Sequence, residues 1–144
     1  VYLVDTNVIS AGAPAKADHA LVEWMDRHSD RLYISTITIA EFEDGIAKLR
    51  RERSLKRAKA LTDWLETLLH LYADRVLAFD IATARIAGSF SDIARSKGRS
   101  AGFPDIAIAA TAKAHGLSLL TRNVKHFTLF GLTIHDPFSS LPRA

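Results

Sequence analysis

From Ile106 to Ala114 the chain is an almost unbroken run of small apolar residues, opened by Pro104 and closed by Gly116. Proline suits the first turn of a helix and glycine the position just past its end. A helix that is apolar on nearly every side must be covered on nearly every side, which calls for a layered fold with this segment inside it. The rest of the chain supplies the layers. Short apolar runs at Val1–Val4, Leu32–Ser35, Val76–Phe79, Leu117–Thr121 and Leu132–His135 have the length of buried strands.

Helical spacing fills the intervals. It is carried by Leu21, Val22, Met25 and His28, then by Phe42, Ile46 and Leu49, by Ala58, Leu61, Leu65, Leu68, Leu69 and Tyr72, and by Ala82, Ile86, Phe90 and Ile93. Strands alternating with helices predict a mostly parallel five-stranded sheet covered on both faces, a three-layer α/β/α sandwich. The helices from about Thr38 to Tyr72 have no strand between them and predict an α-hairpin projecting from one edge. Thr38 is placed to cap the first of them, with Glu41 reaching back as the third residue of a capping box. The 144 residues suit one domain, 1–144.

Several chemistries are excluded early. There is no cysteine, so disulfides and thiolate metal sites are out. The six histidines show no metal-ligand spacing, which argues against zinc. Gly98 and Gly102 fit neither standard phosphate-loop spacing. No basic-then-apolar leader opens the chain and no apolar run approaches membrane-spanning length, so a cytoplasmic protein without membrane contact is expected. Net charge is only +3, but Lys48, Arg50, Arg51, Arg53, Lys56, Arg57 and Lys59 stand together against the single acid Glu52. On a folded face that block is a landing site for phosphates; otherwise it is a solvated helix end or a docking surface for a protein.

Three acids sit where apolar chain meets a turn or helix start: Asp5 after the first strand, Glu41 and Asp105. Each has a structural explanation. Asp5 can make a local turn, with Thr6 or Asn7 helping to cap the next helix; Glu41 can cap, and Asp105 can favour the dipole of its helix. Together they read differently, because active sites of open α/β sheets lie outside the carboxyl ends of the strands. Carboxylates gathered there repel one another and take up protons unless a cation is bound. Hard oxygen donors suit Mg²⁺ or Mn²⁺, and the implied chemistry is a metal-activated water attacking a phosphodiester.

Four blocks lie in order along the chain: V-D-T-N at Val4–Asn7, T-x-x-E-F at Thr38–Phe42, P-D-I-A-I-A-A at Pro104–Ala110, and L-L-T-R-N at Leu119–Asn123 followed by Phe127. This pattern resembles the PIN-domain ribonucleases, and among them the VapC/FitB-type toxins of toxin–antitoxin pairs. The resemblance implies a PIN-like, Rossmann-like fold with Asp5, Glu41 and Asp105 as the metal-holding acidic centre of a ribonuclease cutting RNA to a 5′-phosphate and a 3′-hydroxyl. It implies Thr121 as a supporting hydroxyl at the strand end. Many members carry a fourth acid where this chain has Asn123, so one well-held ion is expected, with Asn123 contributing a neutral oxygen. Arg122 is placed to pair with a scissile phosphate or in a surface salt bridge. The resemblance further implies a homodimer and a cognate VapB/FitA-like antitoxin, through which the complex would bind operator DNA.

Two other functions fit parts of the sequence. A non-catalytic RNA- or protein-binding domain would use the acids only as caps. A phosphoacceptor domain would use Asp5 as nucleophile, but Asp5-Thr6-Asn7 lacks the second aspartate of a D-x-D motif.

Overall fold

A computed structural model describes residues 1–14, 18–99 and 101–143. Five strands form one sheet in the order β3-β2-β1-β4-β5, every neighbouring pair parallel. They are β1 (Tyr2–Val4), β2 (Leu32–Ser35), β3 (Val76–Leu77), β4 (Ser118–Leu120) and β5 (Ile134–His135). β2 coincides with its predicted run, and the other four lie within theirs, trimmed at their ends. The first strand of the chain is the middle of the sheet, with Leu3 opposite Tyr33 on one side and Leu119 on the other.

Successive side chains of a strand point to opposite faces, and β1 and β4 feed both layers in this way. Val4 and Leu120 join a core with Ile34, Leu21, Trp24, Phe42, Ile46, Leu65 and Tyr72. Leu3 and Leu119 join the other, with Phe90, Ile106, Ile108, Phe127 and Phe130. The helices dividing between these layers are α1 (Thr6–Ile9), α2 (His19–Arg27), α3 (Thr36–Arg51), α4 (Leu55–Tyr72), α5 (Ile81–Ser96), α6 (Phe103–His115) and α7 (Val124–Phe127). α6 is the apolar helix of the sequence; every residue from Ile106 to Ala112 is buried, and Gly116 ends it in the left-handed conformation. Among the described residues no helix is long and apolar enough to cross a membrane.

The predicted hairpin is α3 and α4, and its inner face is built into the core through Phe42, Ile46, Leu65 and Tyr72. Its start differs from expectation. Ser35, not Thr38, caps α3, its hydroxyl accepting from the Ile37 N–H at 3.0 Å. Thr38 therefore lies one turn inside the helix, fully buried, and Glu41 is not part of a capping box. The turn at the far end closes when the Ser54 N–H donates to the Leu49 carbonyl at 2.9 Å. Arg53 takes the left-handed position that glycine usually fills there, with φ of 61°.

Candidate active site

β1 ends at Val4, and Asp5 follows directly, its N–H donating to the Leu120 carbonyl at the end of β4 (2.9 Å). This places Asp5 at the carboxyl end of the central strand pair, where it is only 4% exposed. One carboxylate oxygen accepts from the Thr6 N–H at 2.8 Å, so Asp5 is the cap of α1 as well as a site candidate. The other accepts from the buried Thr121 hydroxyl at 2.8 Å and from the Asn7 amide at 3.3 Å. Thr121 and Asn7 are themselves fixed: the Asn123 N–H donates to Thr121 Oγ1, and the Arg122 N–H to Asn7 Oδ1. The loop after β4 thus grips the loop after β1.

Glu41 is tied to the same place by one hydroxyl. Thr6 Oγ1 donates to Glu41 Oε1 at 2.7 Å and stands 3.0 Å from Thr38 Oγ1. An ionised carboxylate only accepts, so the single Thr6 hydrogen goes to Glu41 and Thr38 donates to Thr6. The three-residue spacing of Thr38 and Glu41 puts both on one side of α3, facing Thr6. Thr38, expected as a cap, instead faces Thr6 beside Glu41; the signal was in that spacing. Asp105 stands in the first turn of α6, and its Oδ2 is 3.0 Å from His126 Nδ1 on α7. That histidine had no role in the sequence reading of Asp105.

Asp105 and Glu41 act on Asp5 through space. The Asp5 carboxyl is pushed up from 3.8 to about 6, first by burial and then by the charges of Asp105 and Glu41, against the opposing hydrogen bonds from Thr121 and Thr6. The three acids do not close into a common shell: among the described residues no three His, Asp or Glu side chains are near enough to hold an ion directly. Asn123 reaches the site through its backbone, and its exposed side chain makes no cap to α7. Arg122 is in no ion pair among the described residues; its guanidinium lies 3.8 Å from the centre of the Phe138 ring.

The donor set still fits a hard divalent cation. All three candidates offer carboxylate oxygens, and Asp5 is an acid whose charge is destabilised by lack of water and by like charge, which a cation would relieve. Magnesium commonly takes one or two carboxylates and keeps several waters, so three direct protein bonds are not required.

The sequence profile of the PIN domain matches residues 2–128. The chain belongs to the PIN-domain family. It is similar to the VapC ribonuclease Y4jK of Sinorhizobium fredii, at 37% identity over 94% of this chain and 96% of that one. To toxin FitB of Neisseria gonorrhoeae it is 34% identical, over 94% of this chain and 97% of the relative. Among solved structures, FitAcB from Neisseria gonorrhoeae superposes with a TM-score of 0.83 at 34% identity, covering 96% of this chain and 99% of that one. DNA-bound VapBC from Salmonella typhimurium superposes at 0.79, with 26% identity over 94% of this chain and 96% of that one. The PIN fold of this chain is therefore the one expected from the four blocks, and the five-stranded parallel sheet agrees with it.

Proposed function

We propose that this PIN domain, residues 1–144, is a metal-dependent endoribonuclease, the toxin half of a type II toxin–antitoxin pair. The observation that carries the reading is the buried Asp5, held by Thr6 and Thr121 and carrying the field of two further acids. A protein with no use for a cation there would gain stability by losing that charge. Asp5, Glu41 and Asp105 would hold the ion, directly or through its waters; Mg²⁺ is the first choice and Mn²⁺ the second. When bound, such an ion supplies positive charge that eases deprotonation of water and stabilises the departing oxygen.

The protein's own contribution is positioning. Thr121 and the Thr6 N–H fix both oxygens of Asp5, so its orientation is set before any ligand arrives. The Thr6 hydroxyl fixes Glu41, and His126 fixes Asp105. Asn123 is one residue beyond Arg122, on the loop that grips Asn7, and offers a neutral oxygen at the rim. The relatives named as ribonucleases and toxins, and the neighbouring structures of toxin–antitoxin complexes bound to DNA, support an RNA substrate and a VapB/FitA-like antitoxin that carries the operator-binding part. A homodimer working in the cytoplasm belongs to the same reading.

The deciding experiment is cleavage of RNA by the purified chain in Mg²⁺, in Mn²⁺ and in EDTA, with Asp5→Asn, Asp105→Asn and Glu41→Gln alongside. Each variant is expected to lose cleavage while remaining folded. Undiminished cutting by Asp5→Asn or Asp105→Asn in saturating Mg²⁺ would refute the proposal.

A further inference from the structure

We propose that the cleft framed by Arg99, the start of α6 and α7 is a subsite for a backbone phosphate of the RNA, the one neighbouring the phosphate held at the acidic centre. This rests on the nuclease reading above. The cleft has a volume of about 270 Å³, and its walls include Arg99, Gly102, Asp105, Lys125, His126 and Leu129. Three nitrogen-bearing side chains thus share a small space with one of the proposed catalytic acids. Asp105 and His126, 3.0 Å apart, form the wall that joins the cleft to the acidic centre.

The cations are presented, not consumed. Arg99 and Lys125 are both exposed, and neither is in an ion pair among the described residues. Arg99 is positioned by the way α5 ends. Gly98 takes the left-handed conformation (φ +66°), its N–H donates to the Arg95 carbonyl at 3.0 Å, and the Arg99 N–H donates to the Ala94 carbonyl at 2.9 Å. This paired closure turns the chain sharply and aims Arg99 toward α7. Its Nη1 then donates to the Lys125 carbonyl at 3.1 Å, so the guanidinium bridges the cleft with most of its five N–H donors still available. A forked cation fixed at one nitrogen, in a cleft that Lys125 also lines, matches phosphate oxygens.

A strand of RNA also explains the carboxylate in the wall. Asp105 would repel a free anion, but a phosphodiester chain delivers its charges at fixed intervals, so docking one phosphate at the acids brings the next to the cations. The basic turn of the α3–α4 hairpin cannot serve here: Lys48 is seven residues beyond Glu41, about 10 Å along α3.

The test uses the full chain and a short 5′-fluorescein-labelled single-stranded RNA, measured by anisotropy in Ca²⁺, a hard divalent ion that can hold the first phosphate at the acids, over a series of NaCl concentrations. Arg99→Ala and Lys125→Ala are each expected to weaken binding about tenfold at low salt. Each should also flatten the dependence of log K on log salt by about 0.7, one phosphate contact to a single strand. In Mg²⁺ the same variants should raise KM and leave kcat unchanged, while Arg99→Lys keeps the salt slope and loses part of the affinity. Parental affinity and slope in both alanine variants, with unchanged thermal melts, would overturn the subsite. Equal weakening of a poly-glutamate peptide would overturn it too, since the cleft would then read charge and not nucleic acid. A parent chain that binds the RNA yet cuts none in Mg²⁺ or Mn²⁺ defeats the nuclease reading, and the anisotropy ratios still decide the cleft.

Discussion

Replacing Asp5 by asparagine should make the protein more stable at neutral pH while abolishing its activity. The folded protein holds the Asp5 proton at about 6, against 3.8 for an unperturbed side chain, because the carboxyl is buried and faces Asp105 and Glu41. Ionisation therefore favours the unfolded chain. The protonated form's advantage is fully present below the unfolded value and is lost as pH rises through the folded one. Each unit is worth about 1.4 kcal/mol, so by pH 7 the charge costs about 3 kcal/mol. Asparagine removes that cost and keeps the oxygen that accepts from the Thr6 N–H, but sets an NH₂ against the Thr121 hydroxyl and the Asn7 amide. Those two mismatches return about 2 kcal/mol, leaving a net gain of roughly 1. Urea unfolding in EDTA should show the gain at pH 7–8 and its disappearance near pH 4. Magnesium should reverse the order: at about 100 times its Kd it adds about 3 kcal/mol to the parent and little to the variant. A parent chain that gains on the variant as pH rises from 4 to 7 in EDTA would refute the argument.

Other outcomes follow from the same contacts. Thr121→Val removes a hydrogen bond that holds the Asp5 carboxyl down, so the acid limb of the cleavage pH profile should move upward, with a stability loss of about 1–2 kcal/mol by urea titration. Arg53→Gly relieves a left-handed arginine and should raise stability by about 1 kcal/mol, read by the same titration. Asn123→Asp supplies a charge at the rim and should tighten magnesium binding severalfold in calorimetry. Charge reversal at Arg57 and Lys56, both exposed near the hairpin turn, should weaken binding of either RNA or the antitoxin, and pull-downs against each will assign the block.

How much of this was readable from residues alone depended on whether the signal was local. Strand runs, the apolar helix and its Pro104 and Gly116 boundaries are local patterns, and each became an element at nearly the expected place. Thr38 does not cap α3 because Ser35 supplies a hydroxyl at the helix start, and Thr38 faces Thr6, 32 residues away, instead. His126 could not be paired with Asp105 from the sequence because α7 had not been recognised as a helix; it is four residues long and carries no periodicity. The contact of Arg122 with the Phe138 ring was not legible, because nothing in the sequence near Arg122 announces it. Asp5 stands out as a site candidate only together with Glu41 and Asp105, since alone it is also the cap of α1. Its raised proton affinity came only with the burial and the neighbours.

The central position of β1 has a consequence for synthesis. A ribosome makes Asp5 well before its orienting hydroxyl, on Thr121, which comes 116 residues later and on the strand that must pair beside it. A nascent chain is therefore expected to be harmless until β4 has emerged, and fragments ending before β4 should be inert. For an enzyme aimed at RNA, late assembly would spare the translation machinery that is still producing it.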